Sequence, residues 1–243
     1  MPGEKGVKQL RRIALTVAII AALFSLQFVP SGYFTVYPGP VIRLSDVVAI
    51  EEYSQEGDSF HMVSVLAKDA SVLEFLKAAF DKKVGLWSKK QVLGGRSIDE
   101  YMDYNRKSMV ESQRTAIYIA LKAQGIDVSN QGAFPITVRI ESGQVAGPSA
   151  GLAFALEILN RMGYDIIQGR KIACTGVLNY EGLVQGVGGV AQKTIACRAQ
   201  GIEIFVVPMS NYDEALLFAG DMTVFGVTTF DEALTMLSQE LNP

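Results

Sequence analysis

Between Arg12 and Pro30 the chain runs for seventeen residues, Ile13 to Val29, without a charge. A stretch of that length and polarity sits at the short end of what a helix needs to cross a bilayer, and it is long for the core of a signal peptide. It holds Thr16, Ser25 and Gln27 but is otherwise apolar. Lys5, Lys8, Arg11 and Arg12 precede it, and a basic flank of this kind marks the cytoplasmic side. A cleavable signal ends in small residues around the cut. This run ends in Leu26-Gln27-Phe28-Val29-Pro30, which is bulky there. The reading is an uncleaved single-pass anchor with its amino end in the cytoplasm; a cleaved signal peptide is the alternative. Both export everything after Pro30.

The exported part is long enough to bury a substantial core. A formal net charge of -3, with no basic stripe, argues against nucleic acid as a partner. There is one histidine, His61, and there are two cysteines, Cys174 and Cys197, too few and too scattered for a zinc site. We therefore expect neither a metal nor a cofactor. The cysteines could pair in an oxidising compartment or act as small buried apolar residues.

Along the body, Tyr37-Pro38-Gly39-Pro40 reads as a turn, and Glu51 to Asp58 as a polar loop. Phe60 to Leu66 has a strand's composition. Asp69 is placed to cap a helix carrying Val72, Phe75, Leu76, Ala79 and Phe80 on its apolar face. Lys82 to Gly95 reads as a basic loop holding Trp87, which either packs on its own loop or touches lipid headgroups. Ser97 and Glu100 form a capping box for a long helix ending near Gly125. From Phe134 onward, strands at Ile136–Ile140, Ile172–Val177, Ile204–Val207 and Val224–Val227 alternate with helices. The class is α+β, divided into residues 1–30 (tip and anchor), 31–133 (an N-terminal α/β region) and 134–243.

Gly147-Pro148-Ser149-Ala150-Gly151 lies where a loop turns into a helix. Gly147 permits the tight turn, and Pro148 suits the first helical position, where its missing N–H costs nothing. Ser149 then sits in the first turn, among free amides and the positive end of the helix dipole, which can hold a developing oxyanion. The helix behind it is apolar on nearly every face and should be buried. The pattern also fits a G-x-S-x-G nucleophile elbow, but that arrangement needs a histidine after the serine, and His61 precedes it. An ordinary capped helix start remains the plain alternative.

A serine needs a base. Lys193 is the candidate, on a helix starting at Gly188. Its neighbours at three and four positions are Gly189, Val190, Ala196 and Cys197, with Gln192, Arg198 and Gln200 opposite. Desolvation there would lower its pKa toward neutrality; a lysine snorkelling to solvent is the alternative. Gly186 to Thr194 also loosely resembles a phosphate-binding loop, but Gln192 stands where that loop needs glycine.

These residues together resemble the proteolytic domain of Lon-type serine–lysine proteases. The likeness runs from Gly147-Pro148-Ser149-Ala150-Gly151 through Thr175-Gly176, Gly182, Val184, Gly186-Val187-Gly188-Gly189 and Lys193 to Ala196, Gly201 and Val207-Pro208. The resemblance implies a Lon-like fold over 134–243, Ser149 as nucleophile, Lys193 as general base, and Thr175 hydrogen-bonding the amine. The front of the chain is similar to membrane-anchored bacterial Lon-like proteases. The short link from Gln124-Gly125 to Phe134-Pro135 leaves no room for the PDZ domain they usually carry. An ATPase part is not seen either, so the expectation is ATP-independent cleavage of extracytoplasmic proteins or peptides. Rings are common in the family, which leaves a homo-oligomer open. A non-catalytic membrane scaffold on the same fold is the competing reading.

Overall fold

The structure is a computed structural model and describes residues 4–51, 53, 57–128, 134–141, 143 and 145–239. In chain order the elements are α1 (Glu4–Ser25), β1 (Pro30–Arg43), β2 (Val48–Ile50), β3 (His61–Ser71), α2 (Val72–Ala79), β4 (Gly85–Ser88) and α3 (Lys89–Leu93). Then come α4 (Ile98–Ala123), β5 (Val138–Ile140), α5 (Gly151–Arg161), β6 (Ile172–Cys174), β7 (Val177–Leu178) and β8 (Val184–Gln185). The chain closes with α6 (Val190–Ala199), β9 (Ile204–Pro208), α7 (Tyr212–Ala219), β10 (Thr223–Val227) and α8 (Phe230–Gln239). Helices and strands are mixed throughout. They divide into two compact units, residues 1–37 with 67–95, and residues 38–66 with 96–243.

In the smaller unit, α1 is followed by a single 3-10 turn and then at once by β1. One helical stretch, Lys8–Phe28, is long and apolar enough to cross a membrane by length and composition. Two features differ from expectation. The helix after β3 is capped by Ser71, whose hydroxyl accepts from Glu74 N while Glu74 accepts from Ser71 N; Asp69 instead stays in the strand and pairs with Lys89 at 2.8 Å. The segment read as a basic loop contains β4 and α3. β4 pairs antiparallel with β1, Phe34 opposite Trp87, so a neighbouring strand imposes extended structure on a sequence with weak strand character.

In the larger unit, β10, β9, β6 and β3 are parallel neighbours and β1 follows β3. Tyr37-Pro38-Gly39-Pro40 is not a turn but part of β1. Gly39 is required there: a Cβ would come within 2.6 Å of the Ser64 carbonyl oxygen. Helix α5 is buried around its whole circumference from Gly151 to Leu159, as its nearly all-apolar sequence predicts, Glu157 being the exception. It packs on α4, whose capping box at Ser97 and Glu100 is formed as expected. The Asn179–Gly182 turn closes the small β7–β8 hairpin, with Gly182 N donating to Asn179 O and Gly182 at φ +85°.

Glu157 of α5 is fully buried and holds the larger unit's core to the start of β3. Its carboxylate accepts from Phe60 N at 2.8 Å, Ser59 Oγ at 3.0 Å and Arg161 Nε at 2.8 Å. Burial raises its pKa; the Arg161 hydrogen bond works against that rise.

Candidate active site

Ser149 sits in a 3-10 turn, Pro148–Ala150, that leads into α5. Gly147 has φ +95° and ψ +160°, a conformation open almost only to glycine. Its N–H donates to Asn105 O of α4, and Ser112 of α4 donates its hydroxyl to Pro148 O. At Gly151 a Cβ would lie 2.8 Å from Ser112 Oγ and 3.2 Å from Leu178 N. Both glycines of the motif therefore let the serine turn dock tightly, one by its backbone angles and one by its missing side chain. Asn105 and Ser112 were not visible as site residues in the sequence. With Met109 and Ala116 they recur at helical spacing, so one stripe of α4 carries both the core contact and the serine support.

Lys193 reaches the serine from α6. Its Nζ lies 3.1 Å from Ser149 Oγ and 2.9 Å from Thr175 Oγ1, and the residue is only 2 % exposed. Burial lowers the amine from 10.5 to about 8. The structure thus brings together all three side chains that the resemblance implies, with Gly147 beside them. One detail of the sequence reading fails: Gln192, placed with Arg198 and Gln200 opposite the apolar neighbours of Lys193, is only 5 % exposed.

Thr175, directly after β6, joins the pieces. Its N–H donates to Val206 O of β9, and its hydroxyl donates to Ser149 O at 3.1 Å. The adjacent Gly176 N donates to the same carbonyl at 2.8 Å. A threonine hydroxyl has one proton. With that proton committed to Ser149 O, Oγ1 accepts from the Lys193 amine, an arrangement in which a neutral amine would have its lone pair free to face Ser149 Oγ. Loss of such a hydrogen bond is worth about 1–3 kcal/mol, or about fivefold to 150-fold in rate. Thr175→Val should lower kcat by that factor with little change in KM, and Thr175→Ser should restore most of it; equal rates for the valine and wild-type proteins in a steady-state assay would remove this role.

The turn before α6 is held from α7. Asn211 grips both backbone groups of Val187, accepting from its N–H at 2.8 Å and donating to its carbonyl at 3.2 Å. Glu214 Oε1 accepts from Ala191 N. Two amides that a bound phosphate would need are therefore taken, one of them by a carboxylate. This speaks against the phosphate-loop reading of Gly186 to Thr194.

His61 is elsewhere. Its Nδ1 lies 3.2 Å from Ile172 O, at the start of β6, and burial lowers its pKa. A cleft of about 470 Å³ takes in His61, Arg43, Asp46, Lys171 and Gln200, and none of Ser149, Thr175 or Lys193 lines it. Cys174 and Cys197 are free and buried, and burial drives the Cys197 thiol up to about 12 and raises Cys174 as well. Neither is a plausible nucleophile, since the thiolate is the reactive form. Among the described residues no three of His, Cys, Asp and Glu gather as a metal would need.

The model of the Lon protease (S16) C-terminal proteolytic domain matches residues 103–237, more than half of the chain. The chain belongs to this family. The Lon match begins within α4 and so takes in Asn105 and Ser112. Among curated proteins, Lon protease of Aquifex aeolicus is 28% identical over 218 residues, covering 88% of this chain and 26% of that protein. Lon protease 2 of Bacillus subtilis is 29% identical over 130 residues, 53% of this chain and 23% of that protein. The archaeal Lon protease of Archaeoglobus fulgidus is 33% identical over 120 residues, 48% of this chain and 19% of its own length. The chain spans about a quarter or less of the Lon proteases it matches. Membership in the Lon family supports serine peptidase chemistry.

Proposed function

We propose that this protein is a membrane-anchored, ATP-independent serine endopeptidase acting on extracytoplasmic proteins or peptides with a Ser149–Lys193 dyad. The observation that carries this reading is the buried Lys193 amine, 3.1 Å from the Ser149 hydroxyl. In its neutral form the amine takes the proton from Ser149 Oγ as that oxygen attacks a peptide carbonyl carbon. Amides of the helix start at Pro148 stabilise the oxyanion. The Lys193 ammonium then protonates the departing amine nitrogen, and the C–N bond breaks. Water, deprotonated by the same amine, hydrolyses the ester on Ser149 and restores the serine.

The expected activity is hydrolysis of unstructured substrates without ATP. The anchor reading, with the body outside the cytoplasm, rests on the uncharged run from Ile13 to Val29 and its basic amino flank. Purified full-length protein in detergent, incubated with casein and no ATP, should release fragments, and Ser149→Ala should release none. Intact casein with the wild-type protein, or fragments at an undiminished rate with the variant, would sink the proposal; the former result is what a non-catalytic scaffold gives.

A further inference from the structure

The smaller unit presents an apolar and basic surface that neither the fold nor the chemistry of Ser149 uses. Phe80, which caps the C-terminus of α2 in helical conformation, is 91 % exposed and Leu76, one turn earlier, 45 %, so the two share a face that points into solvent. Residues 67–95 carry six lysines against three carboxylates, whereas residues 31–66 and 96–243 carry twelve basic against twenty-one acidic residues. Each of the three carboxylates is engaged locally: Asp69 with Lys89, Glu74 in the Ser71 capping box, and Asp81 accepting from Lys83 N. Lys77, Lys82, Lys83 and Lys90 are exposed. A helix with bulky apolar side chains on one face, bordered by lysines, is the pattern of an element that lies in a bilayer interface.

Position within the unit points to the same occupant. Val72 N, the first amide of α2, donates to Val29 O at 2.8 Å, and Ser31 Oγ donates to Ala70 O. Val29 is the residue next to Phe28, where the spanning stretch ends. Phe24 and Phe28, both exposed, stack edge to face at 5.7 Å on the same exit. An eight-residue helix is about 12 Å long, so Phe80 cannot stray further than that from the point where α2 is tied to the anchor's end. The headgroup layer adds about 5–8 Å on each side of the hydrocarbon. The lysine stems can lie along the apolar boundary while their ammonium groups reach outward to phosphate.

We propose that α2 and the lysine-rich segment after it rest in the headgroup layer of the bilayer that α1 crosses, with Leu76 and Phe80 inserted and the lysines bound to anionic phospholipid. The proposal rests on the reading of α1 as an anchor, and the experiment separates the two. The full chain is placed in nanodiscs of phosphatidylglycerol and phosphatidylcholine, or of phosphatidylcholine alone. A single indole is moved to position 80 by Phe80→Trp in a Trp87→Phe background. Lipids spin-labelled near the headgroup should quench its emission at least about twofold more than lipids labelled near the chain end, and more strongly in the anionic discs. In the unmodified protein, amides 76–83 should exchange hydrogen more slowly in anionic than in neutral discs. Protein that co-elutes with the discs but shows neither quenching nor protection overturns the proposal and leaves the anchor standing, as would be seen if the face met another protein. Protein that fails to stay with the discs after an alkaline wash overturns both.

Discussion

Lys193→Met should abolish proteolysis and at the same time make the protein more stable. A general base of this kind contributes at least about a thousandfold to turnover, and members of a catalytic unit removed singly cost about as much as the whole. The stability gain follows from the same burial. In the folded protein the amine titrates near about 8, against 10.5 when solvated. Between those values the unfolded chain binds more protons than the folded one, so wild-type stability rises with pH from about 8 to 10.5. Below pH 8 both states are protonated and the full cost of a buried ammonium stands, about 3 kcal/mol at 1.36 kcal/mol per unit. Methionine carries no such cost. Its melting temperature should exceed the wild type's by several degrees at pH 7, with the gap closing toward pH 10.5. The rate of the wild-type enzyme should climb through pH 8 as the amine frees its lone pair. A variant that melts lower than the wild type at pH 7, or one that still turns over, contradicts the assignment.

The second large effect lies on α5, the helix that the Ser149 turn leads into, about two turns beyond the serine. Glu157→Ala removes the carboxylate that Phe60 N, Ser59 and Arg161 share. It leaves a buried guanidinium without this counter-charge and should destabilise the fold by about 3–5 kcal/mol. The double change Glu157→Leu with Arg161→Met should recover most of that loss, since an apolar pair of similar volume replaces two costly charges. Urea titrations of the three proteins decide it: a double variant as unstable as the single one would mean that shape, not charge, dominates the site.

How far the sequence spoke for itself depended on whether a residue's neighbours in the chain are also its neighbours in space. α5 was legible because a helix apolar on nearly every face has no place but a core. The Lys193 environment was half legible. Ala196 and Cys197 announced a dry surface, but Gln192 did not: a polar side chain on a helix carries no local sign that the folded chain will bury it. Thr175 carried no local signal; its role depends on Val206, Ser149 and Lys193 meeting at one strand end, and only family likeness suggested it. β4 and α3 were missed because lysines and glycines mask weak local preference, which the pairing with β1 overrides. Asp69 was a reasonable cap by type, but Ser71 lies two residues closer to the helix and has Glu74 to complete the box.

The two buried thiols have an outcome at the bench. Held in their protonated form and shut away from solvent, Cys174 and Cys197 should ignore maleimides and iodoacetamide under native conditions. A cysteine introduced on either flank of α1 would then be the sole site to take up a membrane-impermeant label. Whether α1 crosses a bilayer, and in which direction, can thus be mapped without first stripping the native thiols from beside the reacting groups.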